Sequence, residues 1–348
     1  MPDTDGIDDV IDRVALGRFL REAGLLDGSA PLAVELLSGG RSNLTLLVDT
    51  GPRELVVRRR PLGHVARGAH DMAREFVVQS ALQGSGVPVA TMEVFSDDET
   101  VVGAPFYVME RVHGEVWDDP VDVAGVPAAE GDACSRSVVD ALVQIHAIDY
   151  RAVGLGEFGR PEGFLERRIG GWLRQWDRSE GRRDLPLVAS LGQRLLRTLP
   201  AESAPGLVHG DYRLGNVIVS ATADRRVAAV LDWEMSTLGD RLTDVAHLLI
   251  YWDSTRGRIT HRSQLIAGTH GFWSGQEIAT TYAEATGVSL EDLDFYLAFE
   301  HWRGAVIKEG IAARSARGET RGAGFEGMSE AVLLHLEEAD QLLRERGR

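Results

Sequence analysis

Cysteine is almost missing from this chain. Cys134 is the only one in 348 residues, which excludes an intrachain disulfide and favours a reducing compartment. Long apolar runs are also missing. None approaches the ~18 residues that span a bilayer, so no membrane segment is expected. Residues 1–9 are acidic and polar rather than basic and then apolar, so secretion is not expected and a cytoplasmic location is. Positive charge is in deficit, with 37 Lys and Arg against 53 Asp and Glu and a net charge of −16. A phosphate backbone wants a basic face, so this balance argues against a nucleic-acid partner. The acidic surplus would attract a cationic small molecule, and it equally serves solubility. There is no fixed-period repeat and no low-complexity tract.

What remains is ordinary globular composition, 44% hydrophobic and 26% charged, in a chain long enough for one large domain or two medium ones. Residues 8–23 carry apolar side chains at helical spacing (Val10, Ile11, Val14, Ala15, Phe19, Leu20) up to Gly24. The period then changes. Residues 32–37, 44–49 and 54–59 read as three strands, with Gly39-Gly40 and Gly51-Pro52 as turns. Residues 69–83 read as a helix ending at Gly84, and 91–95 and 105–110 as two more strands. After Gly114 helices dominate, at 132–147, 163–177, 187–199, 241–251, 273–285, 290–313 and 329–344, interrupted by a loop-and-strand segment over 207–231. Strands followed by helices predict an α+β class, with a small strand-rich lobe over 1–112, a larger helical lobe over 113–348, and a ligand cleft between them.

Chemistry concentrates between His209 and Asp232. The run Val208-His209-Gly210-Asp211-Tyr212-Arg213-Leu214-Gly215-Asn216 places a carboxamide five residues after a carboxylate, ahead of an apolar strand. A second strand, 227–231, leads into Asp232-Trp233-Glu234. Phosphoryl transfer needs a carboxylate to orient or deprotonate the attacking hydroxyl, and oxygen donors for magnesium. Magnesium keeps several waters, so one Asn and one Asp are sufficient from the protein. Asp211 as a turn residue and Asn216 as a loop amide are the plain alternatives, and the combination with Asp232 outweighs them. His209 reads as structural support for the loop. A metal hydrolase built on His209, Asp211 and Asp232 lacks further ligands at suitable spacing.

The His209-x-Asp211-x4-Asn216 pattern with Asp232 downstream resembles the aminoglycoside phosphotransferase and choline kinase superfamily, relatives of protein kinases. Leu231-Asp232-Trp233-Glu234-Met235-Ser236-Thr237-Leu238-Gly239-Asp240 resembles the branch that includes kinase-like domains fused to some acyl-CoA dehydrogenases. The likeness extends over residues 37–313. It implies a two-lobed protein-kinase-like fold, ATP and Mg2+ as cofactors, and a small-molecule hydroxyl as acceptor. It makes Asp211 the catalytic base, Asn216 and Asp232 the metal ligands, and His209 a support of the loop.

The same resemblance gives roles to N-terminal residues that are weak on their own. The Ser38-Gly39-Gly40-Arg41-Ser42-Asn43 turn can donate to phosphate oxygens through Ser42 and Asn43, although two glycines between strands also suit a plain hairpin. Arg58 stands where most of the superfamily has a lysine for the α- and β-phosphates, with Glu75 as its matching acid. Strand alternation turns Arg58 and Arg60 to one face and Arg59 to the other, so Arg59 or Arg60 could take this work instead. Residues 105–114 resemble the hinge that receives adenine, with Glu110 and Val112 bonding through their backbones and Met109 walling the pocket. Glu300, Arg303 and Lys308 are placed near the acceptor, or on a solvated helix face. Asp240 reads as a helix N-cap, and Asp244 as a bond back to the catalytic loop. An amino sugar, a hydroxyacyl thioester, and a regulatory pseudokinase remain alternatives. Oligomeric state and ATP-versus-GTP preference have no signature here.

Overall fold

The computed structural model describes residues 11–28, 32–37, 43–60, 71–118, 120–200, 205–252, 269–318 and 327–346. The chain divides into two compact units. The first runs through Gly114 and includes Ala228–Met235; the second holds the remainder.

The first unit is built on a five-stranded antiparallel sheet. Helix α1 (Arg13–Glu22) precedes strands β1 (Ala33–Leu36), β2 (Leu44–Asp49) and β3 (Glu54–Arg59); helix α2 (Met72–Leu82), β4 (Met92–Ser96), a short helix α3 (Glu99–Val102) and β5 (Phe106–Glu110) follow. The strand order is β1-β2-β3-β5-β4. Alternation along β3 explains the two faces. Leu55 and Val57 join Leu16 and Leu20 of α1 in one apolar cluster with Phe106 and Val108. Val56 enters a second cluster with Met72 of α2, Met92, Tyr107 and Met109. Asp12 caps α1, accepting from the Val14 and Ala15 amides at 2.8 and 3.0 Å, and Asp71 caps α2 through the Arg74 amide at 3.0 Å. The expected helices over 8–23 and 69–83 are thus both present, with described cores that start at these caps. α3 was not foreseen. Its four residues are too few for a periodic signal, and it is set by the Asp98 cap and by Gly103 at φ +83°.

The second unit is mostly helical. It contains α4 (Ala128–Ala147), α5 (Phe164–Arg178), α6 (Pro186–Arg197), strand β6 (Pro205–Val208) and strand β7 (Val217–Val219). Strand β8 (Val227–Val230) crosses the boundary between the units. Strand β9 (Thr237–Asp240), α7 (Leu242–Trp252), α8 (Gly275–Thr286), α9 (Leu293–Ala316) and α10 (Met328–Arg346) complete the unit. All seven expected helices are found with ends moved by a few residues. α4 begins earlier than expected, directly after Pro127, and α8 begins at a capping box of Ser274 and Glu277. Among the described residues no helix is long and apolar enough to cross a membrane.

Strand β9 is a further departure. The sequence assigns no element to residues 237–239 and reads Asp240 as a helix N-cap, yet 237–240 pair antiparallel with β6, Val208 opposite Thr237 and Pro205 opposite Asp240. The pairing positions the start of the loop that carries Asp211. Asp240 still caps α7, its Oδ1 accepting from the Leu242 amide at 3.2 Å while Oδ2 accepts from the Tyr296 hydroxyl at 2.6 Å. Gly239 is required there because a Cβ would lie 2.6 Å from the Phe164 ring. Gly239→Ala is therefore expected to cost about 1–3 kcal/mol through overpacking, read as a lower urea midpoint at an unchanged slope.

Candidate active site

The loop that carries Asp211 follows β6. Its backbone turns at Gly210, where φ is +84°, and His209 is fully buried. One carboxylate holds the turn: Asp244 on α7 accepts the His209 amide at 2.6 Å through Oδ2 and the Gly210 amide at 2.7 Å through Oδ1. His146 on α4 reaches the same Asp244 at 3.1 Å, and its other ring nitrogen meets the Tyr282 hydroxyl at 2.7 Å. Burial opposes the charge on Asp244, but its bonds to His146, the proximity of His209 and the Gly210 amide prevail and lower its pKa. Burial keeps the His146 ring below the usual histidine range. The His209 ring accepts the Asp211 amide at 3.2 Å.

Asp211 emerges from this turn with its side chain 30% exposed. Both carboxylate oxygens are engaged. Oδ1 meets Nε2 of His247 at 2.7 Å, and Oδ2 accepts from Nδ2 of Asn216 at 2.7 Å. Burial works against ionisation here, yet the His247 bond and charge, with Arg213 and His209, outweigh it and hold Asp211 well below the usual carboxylate range. Asn216 lies in a short 3₁₀ turn, Leu214–Asn216, and its amide nitrogen also bonds the Asp211 carbonyl at 2.8 Å. Its Oδ1 makes no hydrogen bond to any described residue, which leaves a hard oxygen donor.

Three of the expected residues meet in the first unit. Arg58 donates through Nη2 to Asp232 at 2.5 Å, and its Nε lies 3.6 Å from Glu75. Burial weakens the Arg58 charge, and Tyr107, Glu75 and Asp232 more than restore it, so the guanidinium stays charged. Burial, helped by Asp232 and opposed by Arg58, pushes Glu75 up to about 7. Tyr107 donates to Glu75 Oε2 at 3.0 Å, while Oε1 is buried without a partner among the described residues. Asp232 sits at φ +64°, a backbone state that non-glycine residues rarely adopt. Glu75, Asp232 and Glu234 bring ligand oxygens within 4.8 Å of one another, a donor set suited to a hard cation.

The other expected residues fall as follows. Ser42 lies outside the described residues. Asn43 is 4% exposed, and neither polar atom of its amide finds a partner among the described residues. Met109 is buried in the β3–β5 cluster. The Glu110 amide donates to the Thr91 carbonyl at 2.9 Å and its carboxylate pairs with Arg53 at 2.7 Å, whereas the Val112 amide has no partner among the described residues. On α9, Glu300 is 1% exposed and Arg303 6%. Glu300 bonds His247 Nδ1 at 2.9 Å, and Arg303 bonds Glu300 and the Gly210 carbonyl, each at 3.1 Å. Lys308 is held down to about 8 by burial, with Arg303 adding to the effect and Asp211 opposing it.

Two histidines escaped the sequence reading, His146 and His247. The available signal was a histidine inside an apolar helix, three residues after Asp244 and so on the same face.

An antiparallel sheet whose third strand sets an arginine against a helix glutamate, and a helical unit whose loop carries Asp211 and Asn216, define an α+β, protein-kinase-like fold. Sequence comparison places it more narrowly. The model of the phosphotransferase enzyme family matches residues 33–282, and the chain belongs to that family. A candidate aminoglycoside phosphotransferase from Ralstonia eutropha has a crystal structure that superposes with a TM-score of 0.82 at 33% identity, covering 96% of this chain and 99% of that one. Aminoglycoside phosphotransferase APH(4)-Ia, solved with AMP-PNP and hygromycin B, shares the fold at a TM-score of 0.61 and 16% identity, over 95% of this chain and 98% of the other. Acyl-CoA dehydrogenase family member 11 of Mus musculus is 34% identical over 84% of this chain, and the Arabidopsis thaliana probable acyl-CoA dehydrogenase IBR3 is 31% identical over 87%. The chain spans 38% and 39% of those two relatives.

Removing the loop anchor tests this geometry. Asp244→Ala strands two buried backbone amides and is expected to lower stability by on the order of 3 kcal/mol, measured by urea denaturation.

Proposed function

We propose that the chain is an ATP- and Mg2+-dependent kinase that moves the γ-phosphoryl group to a hydroxyl of a small molecule. The observation that carries this reading is Asp211, an ionised, partly exposed carboxylate fixed at both oxygens on a loop clamped by Asp244. A carboxylate so held can orient an attacking hydroxyl. The acceptor oxygen forms its bond to the γ-phosphorus, the bond from that phosphorus to the bridging oxygen breaks, and ADP leaves. The hydroxyl proton passes to Asp211. Low basicity suits this work, because in a loose transition state the proton leaves late and orientation matters more than abstraction.

Asn216 and Asp232 are the proposed magnesium ligands, and the free Asn216 Oδ1 and the hard carboxylate set around Asp232 suit that ion. When bound, the metal supplies neutralisation of the developing phosphate charge. In this reading Arg58 grips the α- and β-phosphates and Glu75 aims it. The amide of Asn43, without a partner among the described residues, supports a phosphate-side role for it, and Ser42 is proposed to share that role. Met109 walls the adenine site, Val112 offers its free amide to the base, and Glu110 contributes backbone beside it. His209 supports the loop. Lys308 is the proposed acceptor contact on α9, with Glu300 and Arg303 acting behind it.

A second reading concerns the acceptor alone. Burial, with the nearby Arg303 adding to it, lowers Lys308 to about 8 and Arg168 to about 10, so these cations stand near one another. The charge of Arg168, Arg303 and Lys308 supports an acceptor bearing an anionic group, such as a hydroxyacyl thioester of coenzyme A, over an amino sugar. The acyl-CoA dehydrogenase names of the curated relatives point the same way.

Two measurements test the proposal. Asp211→Ala should cut Mg2+-dependent ATP turnover by about 10²–10⁴-fold with nucleotide affinity retained, and undiminished turnover would sink the assignment. Chelation of divalent cations should abolish turnover and added Mg2+ restore it. Comparing hydroxyacyl thioesters with aminoglycosides in the same assay identifies the acceptor class.

A further inference from the structure

His247 lies one turn after Asp244 on α7, with its side chain 5% exposed. It has a carboxylate at each ring nitrogen. Nε2 stands 2.7 Å from Oδ1 of Asp211, and Nδ1 stands 2.9 Å from Oε2 of Glu300. Glu300 is itself 1% exposed and lies 53 residues away in sequence. A neutral imidazole carries one N–H and one lone pair, so it can donate to only one of these oxygens. Its lone pair would then face a carboxylate oxygen at hydrogen-bond distance inside a buried site, where such repulsion is poorly screened. Protonation at both nitrogens removes the conflict.

The charges close around this arrangement. Asp211 on the loop, Glu300 and Arg303 on α9, and Tyr251 on α7 itself are the titratable or charged groups facing the ring. The Tyr251 ring is 4.8 Å from the imidazole centroid to centroid. Arg303 Nη2 lies 3.2 Å from Nδ1 and 3.1 Å from the Gly210 carbonyl, and Glu300, at 2.9 Å, is the nearer neighbour of Nδ1. With His247 protonated, the two carboxylates that face the ring are matched by the imidazolium and Arg303, and Arg213 lies 3.9 Å from the far oxygen of Asp211.

We infer that His247 is a positioning residue of the reaction, held as an imidazolium between Glu300 and Asp211, and that it fixes the catalytic carboxylate in its ionised, hydroxyl-orienting pose. The inference rests on the reading of Asp211 as the carboxylate that receives the acceptor. Glu300 acts one step further back: it holds the ring's orientation and stabilises its charge. Arg303 joins Glu300 to the Gly210 carbonyl, so the unit is also tied to the loop backbone. Burial disfavours the His247 charge, and the bonds to Asp211 and Glu300 overcome it, so its pKa lies above the ordinary histidine value. The sign follows. A cationic group with a raised pKa keeps its contribution on the acid side and loses it as pH rises through that raised value. Activity that depends on the imidazolium therefore fails on the alkaline side.

The test combines spectroscopy and kinetics on the full chain. Nitrogen-15 spectra of histidine-labelled protein titrated through the ordinary histidine value of ~6.5, with His247 assigned by its loss in His247→Gln, should show both ring nitrogens still protonated where a free imidazole is half neutral. A neutral His247 there overturns the inference, whatever the kinetics show. His247→Ala should lower kcat by about 100-fold with the nucleotide KM little changed, and His247→Gln, which returns a neutral donor toward Asp211, should recover at least about tenfold of that loss. The alkaline fall in kcat attributable to His247 should vanish in His247→Gln; if its pH profile overlays the parent's, the inference fails. Undiminished turnover in Asp211→Ala would instead remove the kinase reading, and the spectrum would still report the state of His247.

Discussion

The second unit depends on the bond pair that Asp244 makes to the His209 and Gly210 amides. A tight loop carrying an active carboxylate has backbone donors that no regular element can satisfy, and a buried amide left unpaired costs about as much as a lost hydrogen bond. One carboxylate on α7 resolves both donors. The charge this buries is met by His146 and by the loop amides themselves. Because α7 also bears His247 one turn on, the helix that clamps the loop backbone orients the loop's side chain as well. Backbone and carboxylate are set by the same rigid element, which suits a reaction whose catalysis is mostly positioning.

The first unit solves a related problem with the opposite sign. Arg58 is a buried cation, and Asp232 and Glu75 supply the opposing charge. Burial and the nearby Asp232, against the pull of Arg58, leave Glu75 with a pKa near neutrality and one oxygen unpaired among the described residues. Arginine here gives a planar fork that can hold a carboxylate, or a phosphate, with more than one nitrogen. The departure from lysine keeps the charge while changing the geometry through which it acts.

Much of this was legible beforehand in particular residues. The five strands of the sheet and the long helices follow from periodicity and from their caps, as at Asp12, Asp71 and Ser274. The spacing of Asp211 and Asn216 translates into a direct bond between them, because five residues of loop and 3₁₀ turn bring the amide back to the carboxylate. β9 was not legible: a four-residue strand has no pattern of its own, and its partner β6 lies some thirty residues earlier. Glu300 and Arg303 read as charges on a helix that could face solvent or substrate. Burial against α7 and the loop settles the environment of their side chains, and helical spacing alone cannot report that.

The sequence by itself determined the family, the α+β division and the local order of the catalytic loop, since each is written in neighbouring residues and short periods. Tertiary structure alone decided which charges meet. Arg58 and Asp232 are 174 residues apart, His247 and Glu300 53, and His146 and Asp244 98. Such pairs depend on how whole elements pack, and packing is set by the apolar faces around them rather than by the charged residues themselves. The state of His247 belongs to this second class: a lone histidine in an apolar helix carries no sign of the two carboxylates that make it a cation.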